Sequence, residues 1–374
     1  MKVLRTISRI LVGLVFIYSG FVKGIDPLGL TYKLGEYFEV YHVTWLDNIS
    51  LSLAIVLCMI EFTIGVALVF GAKMKVTSWA VLIMMSFFTI QTFLAAIFNQ
   101  VSDCGCFGDA IHLTNWETFY KNVVLIVFAI IIFTQRNKYQ PFFSDKTQWG
   151  TIGAGAIFLI SLSIYCYRHL PIIDFRPWKV GTKISEKVIA QPEVSEIMLV
   201  YKNKKTGEQK EYSTKDLPWQ DTTWVANWEF VKQNKKIIKE FKEAPIHDFQ
   251  IVDQDGKDHT SEVVNNPNYQ FMIVAYDINK TNKEAFKKIN ELQKQIDKAG
   301  YSFVAVCGSS FENIDAFRHE TQSAFPFYQA DATALKTIVR SNPGLTLLKG
   351  GVVLAHWHYN DLPDMDKLKK EYLK

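Results

Sequence analysis

The chain has 374 residues, 21% of them charged, and a formal net charge of +4 at pH 7. That length suggests two or three domains, and so small and unclustered a charge excludes a nucleic-acid-binding patch. Five cysteines are too few for a disulfide scaffold of this size. The averages conceal two unlike halves: residues 1–170 are mostly apolar, and residues 171–374 carry most of the charge.

In chain order, five runs reach the roughly 20 apolar residues that a spanning helix needs. They are Leu4–Val22, Leu51–Phe70, Val76–Phe98, Thr118–Thr134 and Trp149–Tyr167. Lys2, Arg5 and Arg9 give the first run the look of a signal peptide. No small-x-small cleavage site follows, however, and Phe21 and Val22 prolong the run, so it is expected to stay as a span. The basic residues of the short loops set the orientation. With the N-terminus inside, inner segments hold Lys2, Arg5, Arg9, Lys73, Lys75, Arg136, Lys138 and Lys146, and outer ones only Lys23, Lys33, Arg168 and Arg176. Five spans then put the C-terminal half outside. Trp45, Trp79, Trp116 and Trp149 fall at span ends, as interfacial tryptophans do.

This topology places the outer loop Ser102–Asp109, Ser-Asp-Cys-Gly-Cys-Phe-Gly-Asp, at the centre of interest. A thiolate is the nucleophile of thiol–disulfide exchange, and Cys104 and Cys106 are close enough to bridge if Gly105 turns the chain. Such a ring is small and strained, the labile kind of disulfide. A fixed disulfide that stiffens the loop is the structural alternative. A metal site using Cys104 and Cys106 with Asp103, Asp109 or His112 fits zinc or copper only loosely. Cys166, at the outer end of the fifth span, can be a resolving thiol or a small apolar filler, and Cys58 reads as a filler.

Glu61 lies inside the second span, one turn from Cys58, and an acid at that depth is a functional-site hypothesis. It is expected either to be protonated and hydrogen-bonded to Gln91 or Ser19, or to relay protons or touch a quinone. Gly13 and Gly20 allow close helix approach, Ser19 and Lys23 share a face, Lys23 can pair with Asp26, and Pro27 ends the helix.

The motif Arg9-x3-Gly13-x2-Phe16-x2-Ser19-Gly20-x2-Lys23-x2-Asp26-Pro27, with the loop Cys104-Gly105-Cys106-Phe107-Gly108, resembles the DoxX/MauE family of membrane proteins over about residues 1–140. The resemblance implies a four-helix membrane bundle, with a fifth span over 141–170. It also implies a role in redox or disulfide-linked maturation, the MauE branch being associated with methylamine dehydrogenase. The bundle is similar in outline to the disulfide-forming relatives of vitamin K epoxide reductase, which use Cys-x-x-Cys and a quinone; here the spacing is Cys-x-Cys. Catalytic residues would be Cys104, Cys106 and Glu61, with Glu61, Gln91 and Ser19 around a quinone. The setting implied is the bacterial inner membrane, with the N-terminus cytoplasmic, the C-terminal half periplasmic, and a periplasmic protein partner.

Residues 171–245 form an insert. Ile197–Lys202 and Gln209–Ser213 flank Asn203–Gly207 as a hairpin, and Thr222–Phe241 has helical spacing. From 246 the pattern is α/β. Strands are expected at Asp248–Val252, Phe271–Asp277, Tyr301–Cys307, Leu345–Leu348 and Val352–Trp357. Helices are expected at Lys283–Ala299 and Glu312–Ser323, ending at Leu335–Arg340, and from Pro363. The order is similar to the thioredoxin-like fold, with Pro343 at that family's cis-proline position. Its Cys-x-x-Cys is absent: the chain reads Ile278-Asn279-Lys280-Thr281-Asn282 there. Such a module without a thiol can bind exported proteins as a scaffold. Cys307 is expected to be a buried small hydrophobe, and His356 and His358 to be surface or edge histidines sharing a strand face.

Overall fold

Apolar residues dominate the first 170 positions, and in the computed structural model they form six helices. The structure describes residues 2–99, 101, 104–140, 143–189, 194–214, 216–218, 220–239, 246 and 249–373. Ser102, Asp103 and Asp248 lie outside these. Five helices are long and apolar enough to cross a membrane, close to the runs expected. They are α1 (Lys2–Ile25), α3 (Ser50–Phe70), α4 (Met74–Phe98), α5 (Asn115–Thr134) and α6 (Asp145–Arg168). Ile83, Phe87 and Ile90 point outward on α4, where lipid replaces water as their solvent.

Between α1 and α3 lies α2 (Pro27–Val40), which the periodicity did not suggest. Pro27 does end α1, but it also begins α2. Asp26 caps the new helix by accepting from the Gly29 amide at 3.0 Å, and proline suits the first helical position.

Helices α1 and α3 pack almost backbone to backbone. A Cβ at Gly20 would stand 2.7 Å from the Phe62 amide nitrogen, and one at Gly65 2.6 Å from that of Ile17. Small residues permit that approach in membranes. The Ser163 hydroxyl donates to the Gly24 carbonyl at 2.8 Å and ties α6 to α1.

After α7 (Ser185–Val188) come β1 (Val194–Asn203), β2 (Gln209–Ser213), α8 (Thr222–Asn227) and β3 (Trp228–Lys239). The hairpin is as expected, but the helix expected over Thr222–Phe241 stops at Asn227. Trp228–Lys239 pairs antiparallel with β1, in the order β2-β1-β3, and Phe241 lies outside the described residues. The side chains Phe230, Val231, Ile237 and Ile238 suit a pleated surface, and pairing along β1 outweighs their helical spacing.

The last region holds α9 (Thr260–Val264), β4 (Tyr269–Ala275), α10 (Ala285–Lys298), β5 (Ser302–Cys307) and α11 (Phe311–Thr321). It continues with β6 (Phe327–Gln329), α12 (Ala332–Ile338), β7 (Gly344–Lys349), β8 (Val352–His358) and α13 (Met365–Glu371). The sheet order is β6-β5-β4-β7-β8, with β4, β5 and β6 parallel and β7 and β8 antiparallel. Phe271 and Ile273 face α10, α11 and α13, while Met272 and Val274 face α7, α9 and α12. A central strand buried on both faces reads as a near-continuous apolar run, as β4 does from Phe271 to Ala275. The expected strand ending at Val252 is only isolated bridges to Asp258 and Gln329. The Asn342–Pro343 bond is cis.

Cys307 is fully buried in β5, as expected. His356 is no surface histidine. Its Nε2 donates to the Trp178 carbonyl at 2.7 Å, and its Nδ1 accepts from the Thr346 hydroxyl at 2.9 Å. Burial pushes both His356 and His358 down to about 4. The strand pattern gave their shared edge but not the 170s segment that covers it.

Candidate functional site

The loop between α4 and α5 turns tightly. Gly105 and Gly108 adopt φ of +65° and +51°, conformations glycine tolerates, and the Gly108 amide donates to the Gly105 carbonyl at 3.1 Å. This brings the Cys104 and Cys106 sulfurs to 2.8 Å, unbridged. The Cys106 amide donates to the Cys104 sulfur at 3.3 Å, and the Ser19 hydroxyl donates to the Cys106 carbonyl at 2.6 Å. The loop is thus pinned to α1.

Both sulfurs line an apolar cavity of about 290 Å³ within the bundle. Phe16, Leu30, Phe38, Met85 and Phe88 supply much of its wall. Glu61 and Lys23 lie at its polar end and form an ion pair, 3% and 5% exposed. Glu61 thus bonds to Lys23 and not to the expected Gln91 or Ser19, and Lys23 pairs with Glu61 and not with the expected Asp26. Lys23 lies along α1 toward α3 and reaches Glu61, which offsets the cost of two charges at depth. Gln91 lines the same cavity but exchanges hydrogen bonds with the Tyr41 hydroxyl at 3.0 and 3.2 Å. The Tyr37 hydroxyl is buried in the same wall, on the Gln91 side.

The structure thus gathers Cys104, Cys106, Glu61, Gln91 and Ser19 around one cavity, and adds Lys23, Tyr37 and Lys121. Sequence reasoning had Lys23 in a motif but gave it the wrong partner. It missed Lys121 within an apolar run and Tyr37 on the unforeseen α2. Cys58 and Cys166 are buried outside the cavity wall. Among the described residues no group of three or more His, Cys, Asp or Glu could hold a metal ion; Asp103 lies outside them. The thiols differ. The hydrogen bond between the sulfurs lowers Cys104 to about 6, while that same bond and burial raise Cys106 well above the usual thiol range.

The outer side of the loop faces a polar crevice of about 1160 Å³ between the bundle and the α/β region. Arg340, beyond α12, spans it. Its Nε donates to the Asp26 carboxylate at 2.8 and 2.9 Å, its Nη2 to Asp109 at 2.9 Å, and its Nη1 to the Lys336 carbonyl. The edge of the Tyr32 ring meets Tyr276 at 6.0 Å, and His169 meets Asp361 at 2.8 Å.

Among the described residues, five helices long and apolar enough to cross a membrane and a loop carrying two facing thiols define the N-terminal part as a polytopic membrane protein. Residues 1–135 match the family of the methylamine utilisation protein MauE, and residues 195–240 match a domain of unknown function, DUF8463. The second match covers the β1–β3 sheet, for which the sequence carried no chemical signal. No curated protein and no solved structure matches the chain.

Proposed function

We propose that this is an inner-membrane thiol–disulfide protein in which Cys104 and Cys106 cycle between dithiol and disulfide on behalf of periplasmic partner proteins. The observation that carries the reading is the pair of unbridged sulfurs, 2.8 Å apart, facing an apolar cavity with an ion pair at its polar end. Oxidation breaks two S–H bonds, forms one S–S bond and releases two electrons and two protons. Lys23 and Glu61 are the ionisable groups beneath Cys106 that can take up or pass on a proton. Gly105, as the residue between the sulfurs, gives the loop the freedom to close the ring.

The cavity suits a quinone ring. Its walls are apolar, and the buried Tyr37 hydroxyl supplies a donor within them. Tyr37 and Gln91 would donate to the ring's oxygens, and Glu61 would accept from a hydroxyl of the reduced ring, with Ser19 beside them. A quinone bound there supplies a two-electron, two-proton acceptor. We take the N-terminus to be cytoplasmic and the α/β region, read as a thioredoxin-like domain, to be periplasmic. The contact of Arg340 with Asp109 supports one shared side for that domain and the sulfur loop.

The experiment is alkylation with a mass-shifting reagent after equilibration at a series of potentials. The reading requires Cys104 and Cys106 to gain and lose two labels together. A pair that keeps one state across accessible potentials removes it.

A second reading is a non-catalytic scaffold whose thioredoxin-like domain binds partners. It is favoured by the absence of a thiol from the described turn Ile278–Lys280, after β4. A partner captured equally well by the Cys104→Ser/Cys106→Ser protein supports it; one lost from that variant supports the redox reading.

A further inference from the structure

The apolar cavity has a mouth. Among the described residues of its wall, only Tyr41 and Phe87 are also exposed at the surface of the bundle, at 44% and 59%. Tyr41 stands at the end of α2 and Phe87 midway along α4. The backbones of these two helices scarcely meet, whereas α2 packs on α3 and α4 on α5. The end of α2 is held firmly: the Val43 amide donates to the Phe38 carbonyl at 2.8 Å and the His42 amide to the Glu39 carbonyl at 3.1 Å, with His42 at φ +56°. The Tyr37 and Tyr41 rings stack, 6.4 Å apart, from the cavity wall out to the surface. On α4 the Phe88 and Phe87 rings, 5.8 Å apart, run the same way. What joins the two sides is one pair of side chains, Gln91 and the Tyr41 hydroxyl, hydrogen-bonded at 3.0 and 3.2 Å. The middle of a spanning helix lies within the hydrocarbon core, about 30 Å thick, so an opening beside Phe87 meets acyl chains.

Resting on the redox reading above, we propose that the cavity opens sideways to the lipid between α2 and α4, that its ligand is a quinone with a long prenyl tail lying in this mouth, and that Tyr41 and Gln91 form the strap the ring must part.

Size and solvent both argue for it. A cavity of about 290 Å³ is at the lower bound of small-molecule pockets, which run from about 300 to 1,000 Å³. It holds a substituted ring, with no room for a long tail beside it. The tail must lie outside, in surroundings that dissolve it. The crevice beyond Gly105 is lined by Asp26, Lys33 and Arg340, and a prenyl chain there would be exposed to water. The mouth has aromatic walls and gives onto lipid. The strap adds a choice of head group. When a ring enters, Gln91 turns its amide from Tyr41 to a ring oxygen, so that donor is never left unpaired; a plain acyl chain offers it no acceptor.

The test uses the full chain in phosphatidylcholine nanodiscs and a benzoquinone with a decyl tail that carries a diazirine at its midpoint. Irradiation and peptide mass spectrometry then map the tail. Label should fall on the peptides holding Tyr41–Val43 and Phe87–Gln91. A tenfold excess of unlabelled decyl benzoquinone should reduce it about tenfold, by mass action. Decanol, a tail without the ring, should not compete. Val43→Trp, which fills the mouth, should lower the competed label several-fold, and Ile83→Trp, outward on the same α4, should not. Label spread without competition over outward residues such as Ile83 and Ile97, label on the crevice residue Tyr276, or equal competition by decanol overturns the proposal. If Val43→Trp misfolds, the wild-type map decides alone. The map should be the same in the Cys104→Ser/Cys106→Ser protein. A wild-type thiol pair that never changes state, beside an intact and competed map, instead sinks the redox reading, so the two failures are distinct.

Discussion

The Arg340 guanidinium donates to the Asp109 carboxylate at 2.9 Å, although 231 positions separate them in the chain. Asp109 follows Cys106 by three residues, and the same guanidinium holds Asp26 at the α1–α2 joint. One side chain, 6% exposed, thus fastens the α/β region to the sulfur loop and to the bundle. Burial and the two carboxylates act on it oppositely, and the carboxylates prevail, raising its affinity for its proton.

Removing that fork leaves two acids facing each other in a half-buried seam. Arg340→Ala should weaken docking of the α/β region by about 3 kcal/mol. Limited proteolysis of the 169–177 connection, compared with wild type in the same micelles, reads this. Unchanged cleavage rates would show that the clamp is not what holds the seam.

The buried Lys23–Glu61 pair should respond differently to single and double substitution. Lys23→Met alone strands an acid at depth and should cost about 3 kcal/mol, while Lys23→Met with Glu61→Leu should come within about 1 kcal/mol of wild type. Equilibrium unfolding in mixed micelles measures both. Additive losses in the double variant would mean that the charges do not depend on each other.

Gly20 and Gly35 make a contrasting pair. An alanine methyl at Gly20 meets the Phe62 backbone, so Gly20→Ala should destabilise the bundle by about 1–3 kcal/mol. A methyl at Gly35, inside α2, meets nothing within 4 Å, so Gly35→Ala should stabilise it by about 0.5–1 kcal/mol. Thermal melting in detergent ranks the two, and a reversed order would refute the α1–α3 packing described above.

His356 predicts a pH dependence whose sign follows from its lowered affinity for protons. The unfolded chain takes up a proton near the ordinary histidine value of about 6.5, and the folded chain only at about 4. Stability is therefore complete above the upper value and falls as pH drops between them. His356 alone should remove about 2 kcal/mol between pH 7 and pH 5. Amide exchange in β7 and β8, corrected for intrinsic rates, should show the loss, and His356→Gln should flatten it.

Much of this architecture is legible in the sequence because membranes and buried strands leave strong patterns. The five spans, the β4 and β5 runs and the hairpin at Asn203–Gly207 follow from hydropathy and period alone. The Ser19, Cys104 and Cys106 cluster was legible as a motif, although its shared cavity was not. What escaped are features set by distant partners. β3 takes its conformation from β1, and Lys23 takes its charge partner from α3. Pro27 reads as a terminator until Asp26 is seen to cap a second helix. Lys121 and Tyr37 carry no local signal, since each matters only for the space it faces.

Gly105 belongs to the walls of both the apolar hollow and the polar crevice. At that point the apolar and polar spaces share a wall residue, as they do at Lys23, Leu30 and Lys33. The Gly105 φ of +65° and the Lys33 stem, 2.9 Å from where a Cβ would stand, mean that no other residue fits without thickening or buckling the wall. The apolar and polar spaces therefore approach each other at the residue that separates the two sulfurs.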